Sequence, residues 1–232
     1  MTWAVMPAAG RGTRFGSETP KQYLEVAGRT LIEHSLRALL GHPGVDGIMV
    51  ALSPEDPYWA GWREMEGKPI LTCIGGAERA DSVLSALQAL PATVSEDQWV
   101  LVHDAARPCL RGLDLTRLIA MGQADPVGAI LAAPVRDTIK RADAQVRISA
   151  TEARDSLWRA LTPQMFRRGG LTRAMQAAMR TGLVVTDEAM AMERLGLKPL
   201  LVEGSEDNIK VTTPADLALA EFILVRGLNK LS

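Results

Sequence analysis

Three basic side chains, Arg11, Arg14 and Lys21, share the stretch PAAGRGTRFGSETPKQY with Gly10, Gly12 and Gly16, directly behind a short apolar run. Glycine lets backbone N–H groups approach an anion closely, because no Cβ stands in the way. Arginine grips phosphate oxygens in pairs, and lysine acts as a point charge. So many cations on one bend suit a triphosphate; the competing reading is a solvated basic turn. Two familiar phosphate cradles are excluded by spacing. A G-x-G-x-x-G fingerprint would need glycine where Phe15 stands, and no G-x-x-x-x-G-K-[ST] run occurs.

Two further clusters carry polar chemistry. GGAERADSV begins with Gly75 and Gly76 and brings Arg79, Asp81 and Ser82 to a helix start. Its amides and Ser82 could meet a base or ribose, or the segment could be an ordinary capped strand–turn–helix. VHDAARP puts Asp104 just beyond an apolar strand, with Arg107 three residues on. A carboxylate there could hold Mg²⁺, which favours one or two carboxylates plus phosphate oxygens. Arg107 could pair with Asp104 or bind an anion. His103 reads as structural, and His34 and His42 as incidental. Thr186 reads as a helix N-cap, and Lys210, taken alone, as a solvated charge. No Ser-His-Asp arrangement and no C-x-x-C pair is found; Cys73 and Cys109 read as buried or half-buried free thiols.

These clusters need elements to hold them. Apolar runs at 3–6, 47–52, 70–74, 99–103 and 128–133 read as buried-type strands. Helical periodicity marks 30–40, with a Thr30/Glu33 capping box, and then 81–90, 113–121, 168–180 and 187–195. Short strands are expected at 199–202 and 209–211, and a helix starts at Pro214. All-apolar strands alternating with amphipathic helices imply a mainly parallel sheet covered on both faces. The expected fold is a three-layer, doubly wound α/β sheet, Rossmann-like, forming a single domain over 1–232. Ligands in such folds bind beyond the carboxyl ends of the strands, where all three polar clusters fall. Residues 135–153 alternate around a polar turn near 142–144 and read as a projecting β-hairpin. A lone hairpin is marginal in water, so it packs on a partner subunit or back on its own domain.

A net charge of −1 argues against nucleic-acid binding, which needs a basic face. The first residues lack a basic region and a long apolar stretch, and no run of about 18 apolar residues occurs, so neither a signal peptide nor a membrane span is expected. The expected setting is cytoplasmic.

Seven motifs in order, PAAGRGTRF…PKQYL, GGAERADSV, VHDAARP, PVRDT, LWRALTPQMF, TDEAMAMERLG and DNIKVTTPADL, cover nearly the whole chain. Together they resemble the 2-C-methyl-D-erythritol 4-phosphate cytidylyltransferases, nucleotidyltransferases of the non-mevalonate isoprenoid pathway. The resemblance implies cytidylyl transfer from CTP to methylerythritol phosphate with release of pyrophosphate, and Mg²⁺ as cofactor. It implies catalytic roles for Arg14, Lys21 and Lys210. Nucleotide contacts would come from Pro7, Ala8, Ala9, Gly10, Arg11, Gly12, Gly75, Ser82, Asp104 and Ala105. The acceptor would be held by Arg107, Thr138, Arg154, Thr162 and Thr186, and the metal by Asp104 with Asp207 as a second candidate. A homodimer joined through the arm at 135–153 is also implied. Ala77 replaces an acidic residue frequent at this place, leaving only its backbone for contact. The alternatives are a cytidylyl- or nucleotidyltransferase of the same fold acting on ribitol 5-phosphate or a sugar phosphate, a non-catalytic nucleotide-binding regulator, and a nicotinamide-dependent reductase. The missing third glycine disfavours the last.

Overall fold

The computed structural model describes residues 2–10, 19–182 and 184–228. Arg11, Gly12 and Arg14, expected at the site, lie outside the described residues. The chain opens with β1 (Thr2–Pro7), which ends at a proline that cannot donate to a ladder. A single 3₁₀ turn (Lys21–Tyr23) and the two-residue strands β2 (Glu25–Val26) and β3 (Arg29–Thr30) lead into α1 (Leu31–Leu40). Thr30 caps α1 by accepting from Glu33 N. The Glu33 carboxylate turns to Arg37 and Arg29 instead of closing the expected box.

There follow β4 (Gly47–Leu52), β5 (Glu64–Met65), β6 (Lys68–Ile74), α2 (Arg79–Ala89), β7 (Trp99–Val102), α3 (Gly112–Ala124) and β8 (Gly128–Pro134). The arm contributes β9 (Ile139–Ala142) and β10 (Ile148–Glu152). Then come β11 (Trp158–Arg167), α4 (Arg168–Arg180), α5 (Glu188–Glu193), β12 (Leu200–Glu203) and α6 (Pro214–Leu228).

Eight strands form one sheet in the order β12-β8-β11-β7-β1-β4-β6-β5. β12–β8, β7–β1, β1–β4 and β4–β6 pair in parallel, while β11 lies antiparallel between β7 and β8. Alternation along β1 sends Ala4 and Met6 to one face and Val5 to the other. On the first face Leu36 and Leu39 of α1 and Leu115 and Leu118 of α3 complete the core. On the second, Val83 and Leu87 of α2 and Leu171 and Met175 of α4 pack on Val100, Val102 and Phe166. Fully burying each such side chain stabilises the fold by about 2 kcal/mol. The result is three layers with a mainly parallel sheet, as the alternation of elements predicts.

Three expectations need correction. No strand forms at 209–211. Val211 N donates to Ala106 O, so this segment lies along the loop after β7, outside the sheet. The run 70–74 is only partly buried: Leu71 and Ile74 are exposed, because only the two-residue β5 lies beyond β6. The N-cap of α5 is Asp187, which accepts from Met190 N; Thr186 stands outside the helix, its hydroxyl against Met190 Sδ. The hairpin forms as expected, with its turn at 143–147 pinned by Asp143 Oδ1 accepting from Gln145 N and Arg147 N. Among the described residues its strands pair only with each other, and its residues are almost all exposed. The return onto its own domain is therefore not the observed arrangement.

Candidate active site

The cavity opens at the carboxyl ends of β1, β6 and β7. It is lined by Pro7, Ala8, Ala9 and Gly10 after β1, and by Gly76, Ala77, Glu78, Arg79 and Ser82 at the start of α2. Asp104, Ala105 and Ala106 after β7, with Lys21, Gln22 and Lys210, complete it. The start of α2, closed by a Glu78/Asp81 capping box, turns the positive end of the helix dipole toward the cavity, where negative charge is favoured.

Each wall has a local cause. Gly75 and Gly76 turn the chain from β6 into α2 under close contact. A Cβ on Gly75 would lie 2.6 Å from Ala9 Cβ, and one on Gly76 2.2 Å from Asp81 Cβ. Gly75 donates its N–H to Leu52 O and stays behind the wall, while Gly76 faces the cavity. Ser82 accepts from Gly76 N at 3.2 Å and so ties that turn to the helix. Opposite, the buried Gln22 amide donates to Ala8 O at 2.8 Å and Gly10 O at 3.0 Å. Those two bonds fix the orientation of the Ala8 and Gly10 carbonyls. Lys21 Nζ donates to Val211 O at 3.2 Å, which joins the first and last parts of the site.

Asp104 is the charged centre. Its Oδ1 accepts from Arg79 Nε at 2.8 Å; its Oδ2 lies 2.8 Å from Lys210 Nζ and 3.6 Å from Arg107 Nε. Burial by itself would raise this carboxyl, but Arg79, Lys210 and Arg107 overcome it and hold Asp104 far below the usual carboxylate range. Arg79 also grips Glu188, a carboxylate with no exposed surface, at 2.6 and 3.2 Å. Burial opposes its charge, yet Glu188 and Asp104 drive its pKa upward. The sequence places Arg79 at a helix start but offers no sign of either partner, since Glu188 lies 109 positions away. Gln22 was also missed; its only signal was proximity to Lys21.

Behind the cavity the polar groups interlock. Thr162 Oγ1 accepts from Asp104 N and pairs with His103 Nδ1, while His103 Nε2 pairs with Arg107 O. Burial pushes His103 down to about 4, which keeps it neutral. Arg107 donates to Asn208 O at 2.7 Å, and Asn208 Nδ2 donates to Thr162 O. Arg107 Nε and Asn208 Oδ1 are buried without a hydrogen-bond partner. Burial lowers the pKa of Arg107, with Asp104 opposing.

The structure thus brings together Pro7, Ala8, Ala9, Gly10, Lys21, Ser82, Asp104, Ala105 and Lys210, with Arg107 and Thr162 directly behind Asp104. Thr138, Arg154 and Thr186 do not line the cavity. Thr138 is exposed on the arm, Arg154 donates to Arg136 O at the arm's base, and Thr186 precedes α5. Asp207 pairs with Arg111 at the surface. Among the described residues no three His, Cys, Asp or Glu side chains cluster as a metal cage. Two carboxylates line the cavity: Glu78, whose side chain accepts from the N3 backbone of α2, and Asp104, which lies between the Arg79 and Lys210 side chains. That donor set fits a magnesium ion carried in on phosphate oxygens, which needs few protein oxygens; it does not fit a closed metal cage.

A family model described as 2-C-methyl-D-erythritol 4-phosphate cytidylyltransferase matches residues 2–226. A relative of that description from Stenotrophomonas maltophilia (strain R551-3) is 64% identical over 224 residues, covering 97% of each chain. Another from Xanthomonas axonopodis pv. citri (strain 306) is 62% identical, covering 96% of this chain and 84% of its own. A crystal structure of a 4-diphosphocytidyl-2C-methyl-D-erythritol synthase superposes with a TM-score of 0.81 at 38% identity, over 96% of this chain and 98% of that one. That of the Francisella tularensis 2-C-methyl-D-erythritol 4-phosphate cytidylyltransferase gives 0.81 at 35%, over 96% and 99%.

Proposed function

The chain belongs to the 2-C-methyl-D-erythritol 4-phosphate cytidylyltransferase family, and from that premise we infer how its residues do the work. The enzyme transfers the cytidylyl group of CTP to 2-C-methyl-D-erythritol 4-phosphate, giving 4-diphosphocytidyl-2-C-methyl-D-erythritol and pyrophosphate in isoprenoid precursor synthesis. A phosphate monoester oxygen of the acceptor attacks the α-phosphorus of CTP, and the bond to the β-phosphate bridging oxygen breaks. The nucleophile is already an anion, because a phosphate monoester has its second pKa near about 6. No general base is required, which suits a cavity behind which His103, next to Asp104, is sealed and neutral.

Catalysis then rests on position and charge. The observation that carries this reading is the meeting of Lys21, Lys210 and the start of α2 around one cavity beyond the strand ends. The triphosphate lies along Pro7, Ala8, Ala9 and Gly10, beside Ala77 in the turn before α2, while the Gly76 amide stays on Ser82 Oγ. Lys21 and Lys210 offset the charge that builds on the α-phosphate oxygens and the departing pyrophosphate. Arg11, Gly12 and Arg14 continue the same segment and are assigned to the phosphates on the strength of the resemblance. Asp104 would hold Mg²⁺, which when bound supplies charge neutralisation across neighbouring phosphate oxygens. Asp207, paired with Arg111, is a poorer candidate.

Arg107, Thr162 and Thr186 lie on the acceptor side, and Thr138 and Arg154 belong to an arm that reaches a second copy in a homodimer. The exposed Val146 and Ile148 on that arm support this assembly. A cytoplasmic setting agrees with the absence, among the described residues, of any helix long and apolar enough to cross a membrane.

The test is pyrophosphate release by purified protein with Mg²⁺, four nucleoside triphosphates, and methylerythritol phosphate or ribitol 5-phosphate as acceptor. Turnover is expected with CTP and methylerythritol phosphate. Preference for ribitol 5-phosphate would overturn the acceptor assignment.

A further inference from the structure

Glu188 is a carboxylate with no solvent exposure, in the first turn of α5. A buried charge is tolerated only when paired and hydrogen-bonded. Its partner is Arg79, whose NH1 and NH2 take one Glu188 oxygen each at 2.6 and 3.2 Å. The third donor used, Arg79 Nε, goes to Asp104 Oδ1 at 2.8 Å. The planar guanidinium is thus spent across two carboxylates, one in the loop after β7 and one in α5, in a geometry lysine cannot copy. Asp104 is left with Oδ2 turned to Lys210.

We propose that Glu188 and Arg79 form a positioning pair that fixes which Asp104 oxygen is offered to Lys210 and the cavity, and that couples this carboxylate to α5 and the acceptor-side segment before it. The proposal rests on the functional reading above. Neither Glu188 nor Thr186 lines the cavity, whereas Arg79 and Asp104 do, so the guanidinium is the structural link between the two sides. The link also passes through the N-cap of α5: Asp187 accepts from Gln164 Nε2 at 2.9 Å, and Gln164 Oε1 accepts from Ala189 N at 2.8 Å. The start of α5 is therefore a fixed anchor. Without Glu188, Arg79 keeps Asp104 as a partner but loses the anchor that sets its plane.

The experiment compares wild type, Glu188→Gln, Arg79→Lys and the double variant by steady-state pyrophosphate release, with circular dichroism and melting temperature alongside. Each single change is expected to lower kcat by about 10- to 100-fold, the scale seen when a partner that orients a metal-binding side chain is removed. KM for CTP is expected to move by less than about threefold, since the loss falls on the transition state. The double variant is expected to be little worse than either single one, because the two residues act as one unit. A purely structural role would lower the melting temperature and leave kcat of the folded fraction unchanged, which would overturn the proposal. So would additive losses. Arg79→Lys keeps the buried positive charge; should Glu188→Gln fail to fold, wild-type kcat in Arg79→Lys alone overturns the pairing. An inactive wild type would overturn the functional reading and the proposal together. A fully active wild type beside an equally active Glu188→Gln would overturn the proposal alone.

Discussion

Lys210 Nζ lies 2.8 Å from Asp104 Oδ2, so a lysine that reads as a surface charge in the sequence is half of an ion pair at the cavity wall. The same lysine borders the space assigned to the phosphates. Lys210→Ala and Lys21→Ala are each expected to lower kcat by about 10²-fold, the loss typical of one preorganised charge stabiliser. Pyrophosphate release at saturating CTP and acceptor measures it, and near-wild-type turnover in either variant removes that lysine from the mechanism.

Gln22 holds the Ala8 and Gly10 carbonyls with one buried amide. Gln22→Glu replaces both donors with a carboxylate that is repelled by the same carbonyls. KM for CTP is expected to rise about tenfold, from the cost of unpaired buried acceptors. An unchanged KM in a protein of native melting temperature would show that the segment keeps its shape without Gln22.

His103 and His34 are both held neutral by burial, His103 with a pKa of about 4 and His34 below its ordinary value. In the unfolded chain both protonate near pH 6.5. The unfolded state therefore binds more protons as pH falls below that value, and stability drops. The loss from His103 develops between about pH 6.5 and 4 and reaches about 3 kcal/mol. Asp104, with its depressed pKa, keeps its stabilising charge through this window. Urea unfolding at pH 7.5, 6 and 5 should show falling midpoints; a flat profile would contradict neutral burial.

The two thiols differ in access. Cys73 is half-buried, whereas burial, with a further push from Asp207, raises Cys109 to about 12. A thiol reagent at pH 8 is expected to label Cys73 in the native protein and Cys109 only after unfolding. Equal native labelling of both would show that the Cys109 site opens.

Val146 and Ile148 are 87% and 70% exposed on the arm. Under the proposed assembly through the arm, Val146→Asp with Ile148→Asp should leave the protein monomeric while the far-ultraviolet spectrum stays native. Light scattering after size exclusion measures the mass. A dimer that survives both changes would place the interface elsewhere.

Most elements were legible because their signals are local. The Gly47–Leu52 run is apolar throughout and forms a buried strand, and Thr30 begins α1 where the capping signal stands. β11 was not legible as a sheet member. Its run contains Pro163 and Gln164, and only its insertion between β7 and β8 makes it central. The strand expected at 209–211 fails for the converse reason, since an apolar flank at Lys210 cannot reveal that Asp104 and Ala106 hold the segment off the sheet.

By itself, the sequence determined the alternation of strands and helices, the clustering of polar residues at strand ends, and a motif order that names the family. Those follow from side-chain period, glycine freedom and residue type, all readable along a line. Tertiary structure alone decided that Arg79 would divide itself between Asp104 and Glu188, that Gln22 would hold the Ala8 and Gly10 carbonyls, and that Thr138 and Arg154 would stand on the arm and at its base, away from this chain's cavity. Such pairings depend on strand order and on which loops share one edge of the sheet, and charge attracts by distance in space, not by separation along the chain.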